Sequence, residues 1–251
     1  MTPNPIRRVL STIRKHQVQA LLMGGQACVF YGAAEFSRDV DLAILSRPDN
    51  LDVLRAALAE LAAETIAVPP FHASFLEKGH AVHFRCRHPE ADGLRIDVMA
   101  AMRGVDPFPV LWSRRTTIET EDGETIDLMG LPDLVQAKKT QRDKDWPMIR
   151  RLLEAHYARF RSAPTPERRQ FWLRELRTPL LLVEVVTLGH PSETSIPPSR
   201  PWLASRPLPS TEEMAAHLLA EESAEREADR AWWEPLKREL EQLRHAGHRS
   251  D

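Results

Sequence analysis

Residues 21–45 read LLMGGQACVFYGAAEFSRDVDLAIL, and the fold is decided within them. Ala20-Leu21-Leu22-Met23 is a short apolar run stopped by Gly24-Gly25, which is the pattern of a strand entering a glycine turn. Residues 26–31 suit a short helix directly after it. From Asp39 to Leu45 the chain alternates: Val40, Leu42 and Ile44 point one way, Asp39 and Asp41 the other. Two aspartates one residue apart on a strand share a face, so their charges repel, and burial without compensation is costly. A divalent cation is one compensation, because magnesium takes oxygen ligands and joins carboxylates to substrate phosphates.

Working outward, Ile6, Val9, Leu10 and Ile13 recur at helical spacing, so residues 5–16 read as an amphipathic helix. Downstream, Asn50 suits the cap of a helix carrying Leu51, Leu54, Leu58 and Leu61. From Gly79 the pattern predicts two strands, Ala81 to Cys86 and Leu94 to Met99, joined by a loop with Pro89 and Asp92-Gly93. In the second of these Leu94, Ile96 and Val98 share one face and Asp97 takes the other. Asp97 thus relates to its strand as Asp39 and Asp41 relate to theirs. If the two strands pair, the three acids converge. In a metal-assisted phosphoryl transfer one cation would bind the triphosphate and another would activate the attacking hydroxyl, with Asp97 on the nucleophile side. A hairpin is expected around Asp122-Gly123, between residues 116–118 and 125–128.

The character changes at Gly130. Pro132 suits the first turn of a helix running through Lys138, and a second helix is expected over residues 144–160. Residues 167–188 are helical in pattern with a kink at Pro179, and 189–210 form a Pro- and Ser-rich connection. Residues 211–245 are strongly charged and helical, with Met214, Leu218, Trp232, Trp233, Leu236, Leu240 and Leu243 as sparse apolar anchors. The expected fold class is α/β (α+β), a mixed sheet flanked by helices plus a helical C-terminal part. The expected division is 1–129 for the α/β domain, 130–160 for a helical extension completing the site, and 161–251 for the helical remainder.

Each part of the pattern has a plain structural reading. An Asp-x-Asp pair alone is commonly a solvated strand face, and an isolated Gly-Gly is commonly a simple turn. Here Gly24 and Gly25 together also permit close backbone approach, with amides for phosphate oxygens. Ser37 reads equally as a phosphate donor or an ordinary loop hydroxyl. Lys138 and Arg142, four residues apart, fit a solvated helix face. His80, His83 and His88 read as surface or hairpin residues rather than zinc ligands. Arg114-Arg115 and Arg150-Arg151 read either as a nucleic-acid groove or as solvated charge.

Taken together, the ordered pattern resembles the signature of the polymerase-beta-like nucleotidyltransferase superfamily: an apolar strand, Gly-Gly, a short helix, then Asp-hydrophobic-Asp. IDVMAAM, with Asp97, resembles the third-carboxylate strand. GLPDLVQAKKTQRDKDWPMIRRLLE resembles the following helical segment of the bacterial minimal and AbiEii-like toxin branch, with Lys138, Arg142, Lys144 and Asp145 in its motif positions. The likeness spans residues 5–156. It implies a nucleotidyltransferase fold in which Gly24, Gly25 and Ser37 contact nucleotide phosphates. By the same likeness Asp39, Asp41 and Asp97 are catalytic and hold Mg2+ or Mn2+, and Lys138 and Arg142 serve the nucleotide. That branch often has Arg two positions before the Ser or Thr; here the residue is Glu35. The implied activity is transfer from a nucleoside triphosphate to an acceptor hydroxyl, with tRNA or another RNA as acceptor and an antitoxin as protein partner. The alternatives are transfer to a small molecule or protein, and a catalytically weak member that binds nucleotide, RNA or protein.

Bulk properties bound these readings. The 34 basic and 36 acidic residues give a formal net charge of -2, which supplies no general nucleic-acid footprint. No apolar run is long enough for a membrane span, and the start of the chain has no secretory pattern. With only Cys28 and Cys86, and neither in a metal-type cluster, a reduced cytoplasmic setting is expected.

Overall fold

The computed structural model of the chain describes residues 4–120, 123–187 and 196–247. Helix α1 (Asn4–Lys15) leads into β1 (Ala20–Met23), α2 (Gly24–Phe30), β2 (Asp39–Ile44) and α3 (Pro48–Glu60). Then come β3 (Glu64–Thr65), α4 (Ala73–Lys78), β4 (Val82–Arg85), β5 (Arg95–Met99), α5 (Phe108–Ser113), β6 (Thr116–Glu119) and β7 (Thr125–Leu128). The remainder is helical: α6 (Leu131–Ala137), α7 (Asp145–Phe160), α8 (Pro166–Glu175), α9 (Pro179–Thr187) and α10 (Thr211–Gly247). Among the described residues no helix is long and apolar enough to cross a membrane.

The strands form one mixed sheet in the order β3-β4-β5-β2-β1-β7-β6, flanked by helices. Strand β1 is buried along its whole length, as its apolar run requires, and it pairs antiparallel with β2 and parallel with β7. Strands β2 and β5 pair in parallel, which places Asp41 beside Asp97 and Asp39 beside Arg95. On the face away from the acids, Val40, Leu42, Ile44, Ile96 and Val98 are all at most 1% exposed. Each such side chain contributes about 1.5–3 kcal/mol relative to exposure, so the apolar face fixes the register that aligns the acids.

Contacts divide the chain into two compact units: residues 1–30, 34–137 and 231–251, and residues 31–33 and 138–230. In the first, α10 supplies Trp232, whose ring lies so close to Gly79 that a Cβ there would stand 2.6 Å from it. Gly79 also has φ +103°, a left-handed conformation that glycine adopts without penalty. Glu239 accepts from Lys78 at 2.5 Å and meets buried His80 at 2.7 Å. The second unit is built on α7, α8, α9 and the first part of α10, around Trp146, Leu152, Tyr157, Trp172, Leu182 and Met214.

Three local expectations need correction. Asn50 is not a cap: α3 starts at Pro48, and the buried Asn50 side chain instead bonds the backbone of Gln19 and Leu45. Pro48, lacking an N–H, takes the first helical position in its place. Residues 167–187 are two helices rather than one kinked helix, because Pro179 starts α9 and restricts the residue before it. Gly24 and Gly25 do not precede the short helix but open it. Of the expected connection at 189–210, residues up to 195 lie outside the described ones, and 201–204 form a 3-10 turn.

Candidate active site on the acid face of the sheet

The site is a patch of sheet two strands wide with β4 along one side. Parallel neighbours stand about 5 Å apart, and residues i and i+2 share a face. Asp39 and Asp41 on β2 therefore face the same way as Arg95 and Asp97 on β5, and the structure brings the three predicted acids onto one face. All three are half-buried.

The Gly-Gly pair fits this patch closely. Asp41 Oδ2 accepts from the Gly25 amide at 3.3 Å. A Cβ on Gly24 would lie 1.8 Å from Asp41 Oδ2 and 2.6 Å from its Cβ. Gly24 also has φ +65°, so any other residue would be strained as well as overlapping. A Cβ on Gly25 would meet Ser37 Oγ at 2.6 Å. The glycines thus seat Asp41 and Ser37, and the Gly25 amide expected to face phosphate serves Asp41 here. The Ser37 hydroxyl donates to the Asp39 carbonyl at 3.3 Å. Next to it, Arg38 lies over the exposed Phe36 ring, 5.9 Å from its centroid.

Two residues on this face were missed by the sequence reading. Arg95 Nε donates to Asp97 Oδ1 at 2.7 Å, and His83 Nδ1 is 2.8 Å from the same oxygen. Burial pushes the Asp97 carboxyl up, but the bonds from His83 and Arg95 outweigh it and hold the group below its ordinary value. The Arg95 guanidinium is held more firmly protonated. Its bond to Asp97 is the main cause, opposed by burial and reinforced by the charges of Asp97, Asp39 and Asp41. Both residues carried a signal. Arg95 has the same strand parity as Asp97. The β4–β5 register sets His83 against Asp97 and Phe84 against Ile96, so counting the hairpin from its loop finds His83.

An oxygen-seeking cation suits this donor set in chemistry. The arrangement is incomplete in one respect: Asp97 is engaged by Arg95 and His83. Among the described residues no three His, Cys, Asp or Glu side chains stand together in a metal-holding group. Asp41 is engaged by the Gly25 amide and Asp97 by Arg95 and His83, so the fit to a cation lies in the donor chemistry of three carboxylates on one face of the sheet.

The remaining predicted residues, Lys138 and Arg142, belong to the second unit. There Asp145, buried, gathers Arg142 Nε at 2.7 Å, Thr140 Oγ1 at 2.6 Å and Lys138 Nζ at 3.6 Å. Arg114 and Arg115 are likewise engaged, on Asp133 and Asp127 respectively. Arg115 also lies over the Trp112 ring at 4.2 Å. His88 caps the turn at Pro89.

No family model matches the chain, and no curated protein matches it. Among solved structures it is similar to the crystal structure of a "putative nucleotidyltransferase from H. pylori", at 14% identity over 90% of this chain and 94% of that one, with a TM-score of 0.38.

Proposed function

We propose that the chain is a nucleotidyltransferase that moves a nucleotidyl group from a nucleoside triphosphate to an acceptor hydroxyl. The observation that carries this reading is the β2–β5 register, which puts Asp41 beside Asp97 on the face seated against Gly24. The acceptor oxygen bonds to the α-phosphorus, the bond to the bridging oxygen breaks, and pyrophosphate leaves with the electron pair. A divalent cation, Mg2+ or Mn2+, would offset phosphate charge and lower the pKa of the hydroxyl. Asp39 and Asp41 would hold that cation, and Asp97, once released, would complete the set or take the hydroxyl proton. Gly24 and Gly25 fix Asp41 and Ser37, and Ser37 is the nearby hydroxyl donor for a phosphate oxygen.

Within this reading the acceptor is the 3′ end of tRNA or another RNA, in a cytoplasmic toxin opposed by an antitoxin. Transfer to a small alcohol or a protein side chain uses the same face. A second reading, a member that binds nucleotide, RNA or protein with little turnover, is favoured by the engagement of Asp97 with Arg95 and His83. Labelled nucleoside triphosphates with magnesium or manganese and pooled RNA, protein and small-molecule acceptors separate these readings. Label transfer that disappears with Asp39→Ala and Asp41→Ala is expected. Transfer that survives both substitutions removes the proposed chemistry, and metal-dependent nucleotide binding without transfer supports the second reading.

A further inference from the structure

Arg95 stands where the acid face would receive a cation. It neighbours Asp39 in register, bonds Asp97 at 2.7 Å, and feels the charges of all three aspartates. Building on the cation-assisted reading above, we propose that Arg95 is the resident counter-ion of this face and that a divalent cation binds by exchange. The cation takes Asp97 from Arg95, and the guanidinium so released pairs with substrate phosphate.

The charges favour the exchange. A divalent cation held by Asp39, Asp41 and Asp97 would stand close to the guanidinium bonded to Asp97 Oδ1, and the two positive charges repel. Arg95 is able to leave because its side chain is 40% exposed, whereas Asp97 is 15% exposed. A planar guanidinium matches phosphate oxygens through paired N–H bonds, so it has a partner to move to. His83 makes the exchange tolerable for Asp97. Its Nδ1 is 2.8 Å from Asp97 Oδ1 and 3.0 Å from the Arg95 guanidinium. One ring nitrogen serves one of them at a time. Carrying a proton it donates to Asp97; without one it accepts from Arg95. When Arg95 leaves, His83 remains as the donor that keeps Asp97 oriented. Cation and triphosphate then bind cooperatively, since each draws Arg95 and Asp97 apart in favour of the other, and the coupling is reciprocal.

The test is Mn2+ binding to the full chain, followed by electron paramagnetic resonance, for the native sequence, Arg95→Ala and Arg95→Lys. A second titration uses the preformed complex of Mn2+ with inorganic tripolyphosphate, and circular dichroism confirms that each variant folds. Arg95→Ala is expected to bind free Mn2+ about tenfold tighter and the tripolyphosphate complex about tenfold weaker. Arg95→Lys falls between, since it keeps a charge but loses the planar fork. Unchanged or weakened Mn2+ affinity in Arg95→Ala overturns the exchange, because a merely structural arginine gives those results. Tighter Mn2+ binding with unchanged affinity for the complex overturns the phosphate step. Mn2+ binding insensitive to the double change Asp39→Ala, Asp41→Ala in every background removes the cation reading of the face, and this inference with it.

Discussion

The acid face of the first unit and the ion network inside the second treat charge in opposite ways. In the second unit Arg200 is 0% exposed, and each of its three nitrogens has a partner. Glu221 takes Nε at 3.0 Å and one terminal nitrogen at 2.8 Å, and the carbonyls of Leu173 and Leu176 take the other at 3.0 and 2.9 Å. Arg177 meets the same Glu221 at 3.1 Å. Glu221 holds both guanidiniums and backbone carbonyls complete Arg200, so these buried ions are held within the chain, although Arg177 Nε is buried without a hydrogen-bond partner. On the acid face, by contrast, three half-buried aspartates share one side of the sheet and Arg95 bonds one of them. A fold gains no stability from bringing aspartates together. The second cluster ties its unit together through Glu221, while on the acid face Asp97 alone is compensated, by Arg95 and His83, among three aspartates on one side of the sheet.

That distinction can be broken most severely through activity. Asp41→Ala is expected to lower label transfer by about a thousandfold or more while leaving the melting temperature unchanged or raised, since a repulsive charge is lost. A variant that unfolds would move the acid face into the structural class. The reverse pattern is expected for Glu221→Ala. Stranding Arg200 and Arg177 should cost about 3–5 kcal/mol in urea denaturation, because removing one partner leaves buried charge uncompensated. An effect below about 1 kcal/mol would place that network with ordinary surface pairs.

Gly24→Ala tests the seat of Asp41. The left-handed φ and the overlap with Asp41 should cost about 1–3 kcal/mol and reduce transfer as well, read by denaturation and initial rate on the same sample. Loss of stability with full activity would show that Asp41 does not depend on its glycine neighbour.

The smallest effect separates the two regions by pH. Burial, with Arg168 and Arg159 nearby, pushes His156 down to about 4, and its Nδ1 accepts from Trp172 Nε1 at 2.9 Å, which requires the neutral ring. A depressed histidine stabilises fully above its unfolded value near 6.5, and that contribution fades as pH falls from 6.5 to about 4. Screening of the partly exposed ring limits it to about 2 kcal/mol. Asp97 loses its contribution in the same direction but in a lower window. Its lowered carboxyl contributes above the unfolded value of about 3.9 and loses that only at lower pH, so the acid face holds where His156 gives way. Stability curves for the native chain and His156→Gln should diverge between pH 6.5 and 4; parallel curves would refute the assignment.

Much of the sheet was legible because its signals are local. The apolar run at Ala20–Met23, the alternation through Asp39–Ile44 and the turn residues at Asp92-Gly93 each constrain a few neighbouring positions. The register that sets Asp41 beside Asp97 needed only parity and the assumption that two strands pair. Arg95 was equally legible by parity and was overlooked because an arginine is not a metal ligand. His83 required a register count across a hairpin. The Asn50 error came from a residue whose capping chemistry was used elsewhere: its amide bonds the backbone of Gln19 and Leu45, beside the ends of β1 and β2, instead of a free N–H of α3. The engagement of Lys138 and Arg142 with Asp145 was not legible from charge order alone, since side-chain partners depend on how the turn before α7 closes.

The central claim is most directly tested by the anomalous signal of manganese in crystals grown with Mn2+ and a non-hydrolysable nucleoside triphosphate. A peak shared by Asp39 and Asp41, with Asp97 turned from Arg95 toward the metal, is the predicted result. Manganese bound elsewhere on the chain, with Asp97 still paired to Arg95 and no nucleotide beside Gly24 and Ser37, would contradict it.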